Sequence, residues 1–316
     1  PPRPAEVAAA DSRSVSQFAR RFRSAYKNQS SYRDQDVAVI GMSCRIAGAR
    51  NPDEFWDMLD NERDMIREIP GERWDWRDYP GVSKWGSFVD GIDEFDPLFF
   101  GISPAEAMYM SPEQRLMMQY VWECVEDAGY GGDTLKGSNT GIFVGCGPSS
   151  YTSLMSHLPI EAYSVTGSVS SVGPNRISYH MDWHGPSNPI DTACSSSLVA
   201  VHRAIEAIRG GHCGVAIIGG VNALISPDVY ISFTKSGMLC EDGRCKTFSD
   251  KANGYVRGEG AGMLMLKGLK AAQRDGDAIY AVIKGAAENH GGRTTSLTAP
   301  NPNAQAAVIK RAVEDA

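Results

Sequence analysis

The chain has 316 residues, 42% of them hydrophobic and 22% charged, with a formal net charge of −7; this is a globular composition, long enough for two domains or one large α/β unit. The acidic balance argues against nucleic acid as a partner, and no apolar run approaches the ~20 residues of a membrane span, so neither nucleic acid nor membrane is expected. Seven cysteines without a framework spacing point to a reducing compartment, and no signal peptide is visible in the Pro/Ala-rich start, so a cytoplasmic location is expected.

Residues 1–35 differ from the rest. Pro1 to Ala10 is rich in Pro and Ala, and Arg13 to Arg33 is basic and polar. Phe18, Phe22 and Tyr26 are spaced four apart, which allows a short amphipathic helix, but a solvated linker is the simpler reading. The folded part is expected to span residues 36–316. Val37–Gly41 is a continuous apolar run and predicts a buried strand. Three helix starts then share one grammar, at Asn51, Ser103 and Ser111. Each has a capping side chain, Pro at the first helical position, and Glu or Gln at the third. Trp74-Asp75-Trp76 lies in a loop bounded by Pro and Gly, and packing of that loop on the core is expected.

Leu116 to Ala128 has apolar residues at helical spacing, closed by Gly129. Thr140–Cys146 predicts a second buried strand. Pro148 to Thr166 reads as loop with some helix, facing substrate or a dimer partner. Asn188–Ile190 is a short strand that runs through small residues into a long helix. In that helix Leu198, Val201, His202, Ile205 and Ile208 recur at helical spacing, beside a stripe of Ala193, Ser197, Ala200, Ala204 and Ala207. An apolar stripe beside a small-residue stripe predicts a central helix, buried on several sides and ended by Gly210-Gly211. Further strands are expected at Cys213–Gly220, Gly260–Lys267 and Ala278–Gly285, with a last helix from Ala304. Strands interleaved with helices imply an α/β sheet covered on both faces.

Cys194 falls where strand turns into helix. Unpaired N–H groups and the positive end of the helix dipole gather there and stabilise a thiolate. The same N–H groups suit an oxyanion on an attacked thioester or ester. The expected geometry is a strand-to-helix turn at the base of a pocket, with Cys194 the candidate catalytic residue. A free cysteine is otherwise a small buried hydrophobe.

Other motifs carry less. Gly254, Gly258, Gly260 and Gly262 lead into a strand rather than a helix N-terminus, so tight turns and close packing explain them better than a phosphate cradle. Glu259 is expected to be a structural hydrogen-bonding partner for that loop. Cys240 and Cys245 lack a second ligand pair for zinc, and Asp242-Gly243 predicts a hairpin turn. No metal site is expected. Of the six histidines, His290 is the best candidate for a base or donor by sequence alone, since His202 lies two helical turns past Cys194 on the same helix.

Asp191-Thr-Ala-Cys-Ser-Ser-Ser-Leu198 resembles the active-site signature of β-ketoacyl synthases, in the form used by modular polyketide synthases. The likeness extends over Asp36–Ile46, Phe99–Met108, Pro112–Leu116, Asn175–Tyr179, Gly243–Phe248, Gly254–Gly260 and Asn289–Thr294, in the family's order. One departure is Asn253, where the family usually has Asp. The resemblance implies a thiolase-like layered α/β/α/β/α fold, of which this chain would hold the N-terminal half and the start of the second. It implies that residues 1–35 are a connector and 36–316 a ketosynthase domain.

The implied function is decarboxylative Claisen condensation in polyketide chain elongation. Cys194 would hold the acyl chain, and an acyl carrier protein would deliver a malonyl-type unit on phosphopantetheine. No cofactor would be bound directly. Acyl carrier protein domains, other polyketide synthase domains and a second copy of the chain in a homodimer are the implied partners. The family's two catalytic histidines and lysine lie in C-terminal motifs that do not occur here, and the chain is expected to stop before them. A non-elongating ketosynthase that only transfers the acyl chain, and a structural fragment whose site another chain completes, are the alternatives.

Overall fold

The computed structural model describes residues 32–131 and 133–316. The segment holding Phe18, Phe22 and Tyr26 lies outside the described residues. In chain order the elements are β1 (Val37–Ile46), α1 (Pro52–Asp60), β2 (Arg67–Glu68), β3 (Trp85–Ser87), α2 (Pro104–Tyr109), α3 (Pro112–Asp127) and β4 (Gly141–Gly145). Then come α4 (Tyr151–Met155), α5 (Val172–Met181), β5 (Ser187–Ile190), α6 (Ser196–Arg209), β6 (Val215–Asn222) and α7 (Asp228–Lys235). The chain closes with β7 (Arg257–Gly258), β8 (Gly260–Gly268), α8 (Leu269–Asp275), β9 (Ala281–Ile283) and α9 (Pro302–Asp315).

One mixed sheet of six strands organises the molecule, in the order β5-β4-β6-β8-β1-β9. β5, β4 and β6 are parallel, whereas β8 runs antiparallel to both β6 and β1. The apolar strand runs alternate in direction, so one strand feeds two cores. Ala38, Ile40, Ile142, Val144, Ile217, Met263 and Met265 face α3 and α5, where they meet Leu116, Met117, Val121 and Ile177. Val37, Val39, Phe143, Ala216, Ile218 and Leu266 face α6, where they meet Ala200, Ala204, Ile205 and Ala207. Each fully buried aliphatic side chain contributes about 1.5–3 kcal/mol.

The three helix starts form as their residues dictate. Asn51 accepts from Glu54 N at 2.9 Å, Ser103 from Glu106 N at 3.1 Å and Ser111 from Gln114 N at 3.4 Å, with Pro in the first turn each time. The C-terminal end of α3 lies against the bulge in β1, where a Cβ on Gly41 would stand 2.6 Å from the Cys124 carbonyl oxygen. Trp74 and Trp76 pack on a third cluster of Ile69, Phe88, Leu224, Tyr230 and Leu239, with Trp74 edge-on to Tyr230 at 5.3 Å. The Trp-Asp-Trp loop is therefore core packing.

Three expectations need correction. The strand predicted at 278–285 shortens to β9 and pairs with β1 at the edge of the same sheet. Ion pairs fix it there: Lys284 reaches the buried Asp36 carboxylate at 2.5 Å, and Asp315 of α9 takes Arg209 at 2.8 Å. Asp242-Gly243 makes a turn with Gly243 at φ +70° but no hairpin, because its flanks form no antiparallel ladder and Leu239 meets Tyr255 in a parallel bridge. Finally, α6 is covered on one face only. Ala200, Ala204, Ile205 and Ala207 lie on the sheet while Leu198 is 74% exposed. The small residues bring the helix close to the strands, and no described element covers its outer face.

Candidate active site

β5 ends at Ile190, level with Gly145 at the end of β4, and Gly145 in turn is level with Gly220 of β6. The helix that follows starts directly over these strand ends. A Cβ on Gly145 would stand 2.8 Å from Ser197 N, and one on Gly220 would stand 3.1 Å from Ser197 Cβ. Two glycines on the sheet and a serine on the helix thus permit the close approach. The connection is a single 3-10 turn, Ala193–Ser195, continuous with α6.

Ala193 adopts φ +56°, the left-handed region that a non-glycine residue occupies at a cost of about 1–2 kcal/mol. Surrounding hydroxyls hold the turn in that shape. Thr192 N donates to Ser196 Oγ at 2.9 Å, and Ser196 Oγ donates to the Ala193 carbonyl at 2.7 Å. Ser195 Oγ donates to the Thr192 carbonyl at 2.9 Å, and Asp191 Oδ1 accepts from Ala193 N at 3.3 Å. No side chain caps the first turn of α6. The Ser196 N–H donates to the Ala193 carbonyl within the turn, and the helix dipole is directed at the turn.

Cys194 sits in that strained strand-to-helix turn, as the sequence implies, but it is exposed rather than at the base of a pocket. The elements described supply the floor of the site, namely the strand ends and the helix start. They do not supply walls above it. Burial pushes the thiols of Cys44, Cys146 and Cys213 up to about 11 and raises that of Cys124 well above its ordinary value.

Among the described residues no histidine is hydrogen-bonded or ion-paired to the turn. His290 is exposed, and its Nδ1 accepts from Gly292 N at 2.9 Å. His202 lies on α6 with a buried Nδ1 that has no partner among the described residues. His180 stands edge-on to Phe100 at 5.3 Å, and burial lowers its pKa. Cys240 is buried and Cys245 exposed, and no group of His, Cys, Asp and Glu able to hold a metal occurs among the described residues.

The glycine-rich loop is a structural brace. Gly254, at φ +135°, could not carry a Cβ, which would stand 2.6 Å from Cys240 N, and one on Gly260 would stand 2.9 Å from the Arg45 carbonyl oxygen. Glu259 is buried and accepts four hydrogen bonds. They come from Arg73 Nε at 3.2 Å and Nη2 at 3.1 Å, Val89 N at 2.8 Å and Leu224 N at 2.9 Å. This carboxylate ties the 70–89 loop to the segment that leaves β6.

Two features near Cys194 went unread in the sequence. One is the left-handed Ala193, for which a non-glycine residue gives no signal. The other is Tyr255, whose pKa is raised by burial first and also by Cys194. It sits inside Gly254–Gly260, whose local pattern gives no sign of an interaction with Cys194.

With the geometry in place, comparison with known proteins identifies the class. The profile of the β-ketoacyl synthase N-terminal domain matches residues 34–272, and that of the C-terminal domain matches 280–316. The chain belongs to the β-ketoacyl synthase family, and its fold is thiolase-like. More particularly, it resembles the ketosynthase domains of polyketide synthases. It is 51% identical over 299 residues to polyketide synthase PksN of Bacillus subtilis, covering 92% of this chain and 5% of that protein. Among solved structures it is similar to the ketosynthase from module 6 of the bacillaene synthase of Bacillus subtilis 168, with TM-score 0.81 and 40% identity over 88% of this chain and 48% of that one. It is also similar to an oxazolomycin ketosynthase domain of Streptomyces albus, with TM-score 0.83 and 39% identity, covering 89% of this chain and 52% of that one. The chain thus spans about half of each solved ketosynthase and a small part of the polyketide synthase.

Proposed function

We propose that this chain is part of a polyketide synthase ketosynthase domain that extends acyl chains by decarboxylative Claisen condensation, with Cys194 as the acyl-bearing nucleophile. The observation that carries the reading is the placement of Cys194 in a strained turn against an uncapped helix start, in a member of this family. In the first half-reaction the Cys194 thiolate attacks the carbonyl of an acyl thioester delivered on carrier-protein phosphopantetheine. An S–C bond forms to Cys194, and the phosphopantetheine sulfur leaves as thiolate. In the second, a malonyl-type thioester loses CO₂, and the resulting carbanion attacks the acyl group on Cys194. A C–C bond forms and the Cys194 thiolate is released. Charge on the attacked oxygen falls where the N–H groups at the start of α6 gather.

This reading needs no metal or diffusible cofactor. Residues 36–316 belong to the ketosynthase domain, and 1–35 serve as a connector. The partners are acyl carrier protein domains, the other domains of the synthase, and a second copy of the chain. β5 at the open edge of the sheet, and the exposed Ile160 and Val165 of the preceding segment, support a homodimer. No described helix is long and apolar enough to cross a membrane, and the reading places the enzyme in the cytoplasm.

The test supplies acyl- and malonyl-carrier proteins to the polyketide synthase containing this domain. A β-ketoacyl product is expected with Cys194 intact and none with Cys194→Ala. Product from the Cys194→Ala protein would overturn the proposal.

A further inference from the structure

The helix α1 turns an apolar stripe edged with acids outward. Asp53, Trp56, Asp57 and Asp60 recur at the three- and four-residue spacing of one helix face, with Leu59 beside Trp56. Trp56 is 40% and Leu59 52% exposed, whereas Met58 on the opposite side is buried. The helix carries Asp53, Glu54, Asp57 and Asp60 and no basic residue. Asp57 and Asp60 stand in its last turn, where the helix dipole is negative and disfavours an anion. Arg63 pairs with Asp57 at 2.8 Å, but both side chains are more than half exposed, so this pair offsets little of that repulsion.

The sequence ahead of the described residues is the complement of this face. From Ser12 to Ser31 it holds Arg13, Arg20, Arg21, Arg23 and Lys27 and no acid, with Phe18, Phe22 and Tyr26 spaced four apart. On a helix the three rings share one stripe, with Arg21 on one side of it and Arg23 on the other. Aromatic rings between cations match apolar side chains between acids. The point where the chain enters the fold favours the contact. Tyr32 already packs on the core, with the Lys284 ammonium over its ring at 5.0 Å, and Arg33 Nη2 donates to the Lys284 and Asp315 carbonyls at 2.5 and 2.6 Å. This entry leads into β1, and α1 packs against β1. The stretch from Tyr26 to Tyr32 can span about 20 Å, more than half of the ~33 Å that a strand of this length occupies.

We propose that residues 13–31 of this chain dock along the outer face of α1, with Phe18, Phe22 and Tyr26 against Trp56 and Leu59, and the flanking arginines against Asp57 and Asp60. The connector then lies on the ketosynthase fold instead of standing off as a solvated tether. Its cations offset the two aspartates at the negative end of the helix, and its rings take Trp56 and Leu59 further out of water. Nothing in this docking depends on the reading of Cys194.

The test uses the full 316-residue chain with p-benzoylphenylalanine in place of Phe22. Irradiation, digestion and mass spectrometry should find crosslinks to the peptide that holds Trp56 and Leu59. Asp57→Lys combined with Asp60→Lys, both at exposed positions, should lower the crosslink yield about fivefold, and adding Arg21→Glu with Arg23→Glu should restore most of it. Leu59→Ser should also lower the yield without changing any charge, and it carries the test if the lysine variant fails to fold by circular dichroism. Crosslinks scattered over the surface with no preference for α1, or a yield unchanged in these variants, would overturn the docking. An equal mixture of isotope-labelled and unlabelled chains identifies the occupant. Crosslinks within one chain support the proposal, whereas crosslinks joining labelled to unlabelled peptides would give the face to a second copy and overturn it.

Discussion

Replacing Glu259 with Gln should unfold the brace behind the site. Glu259 and Arg73 form an ion pair at 3.1 Å whose side chains are 0% and 7% exposed. The carboxylate also takes the Val89 and Leu224 N–H groups. A Gln side chain has one acceptor oxygen and one NH₂ in place of two acceptors. It therefore leaves the buried Arg73 charge uncompensated and turns a donor towards one of these N–H groups. Removing one partner of a buried pair costs about 3–5 kcal/mol, and an orphaned buried donor adds about 1–3 kcal/mol, with incomplete additivity. A loss of about 4 kcal/mol is expected, a fall of roughly 8–16 °C in melting temperature for a chain of this size. Urea denaturation followed by circular dichroism would measure it. Arg73→Met combined with Glu259→Gln should not restore stability, because the two backbone donors still lack a carboxylate. A Glu259→Gln protein within about 0.5 kcal/mol of the original would refute the reasoning.

Other consequences can be checked alongside. Gly145→Ala should displace the start of α6, since its Cβ would stand 2.8 Å from Ser197 N, and slow acyl loading at least tenfold, whereas Gly262→Ala, with nothing within 4 Å, should leave loading unchanged. Burial raises the pKa of the Glu113 carboxyl against the hydrogen bond from Ser149 at 2.7 Å. A raised carboxylate destabilises the fold when ionised, so Glu113→Gln should melt at the same or a higher temperature at pH 8. Any advantage should shrink as pH falls towards the ordinary value of 4.5, and an advantage that grew on acidification would contradict the assignment. Brief iodoacetamide treatment of the folded chain should label Cys194 first and Cys245 second, the two exposed thiols, ahead of the five buried ones. Faster labelling of Cys240 would count against the structure.

Much of the sheet was legible because its strands are apolar on both sides and its helices begin with Asn or Ser followed by Pro. Those signals are local, and the caps at Asn51, Ser103 and Ser111 formed as written. The role of Glu259 followed from the impossibility of a phosphate cradle before a strand. What local pattern cannot give is what lies opposite an element. The stripe from Leu198 to Ile208 has the spacing of a buried helix, yet while Ile205 packs on the sheet with the small residues, Leu198 at its start stays exposed. The 278–285 run reads as a strand in isolation, but its partner, β1, was set by the long-range Asp36–Lys284 and Arg209–Asp315 pairs. Cys194 was legible as a residue at a turn. The strain at Ala193 depends on how β5, β4 and β6 end together under the start of α6, which no single segment encodes.

The measurement that bears most directly on the central claim is a map of where acyl groups attach. The 316-residue chain would be incubated with an acyl-N-acetylcysteamine thioester, digested, and the acylated peptide sequenced by mass spectrometry. The account predicts acylation at Cys194, lost in Cys194→Ala with the fold retained. Acylation at Cys245 in place of Cys194, or loading undiminished in Cys194→Ala, would contradict it.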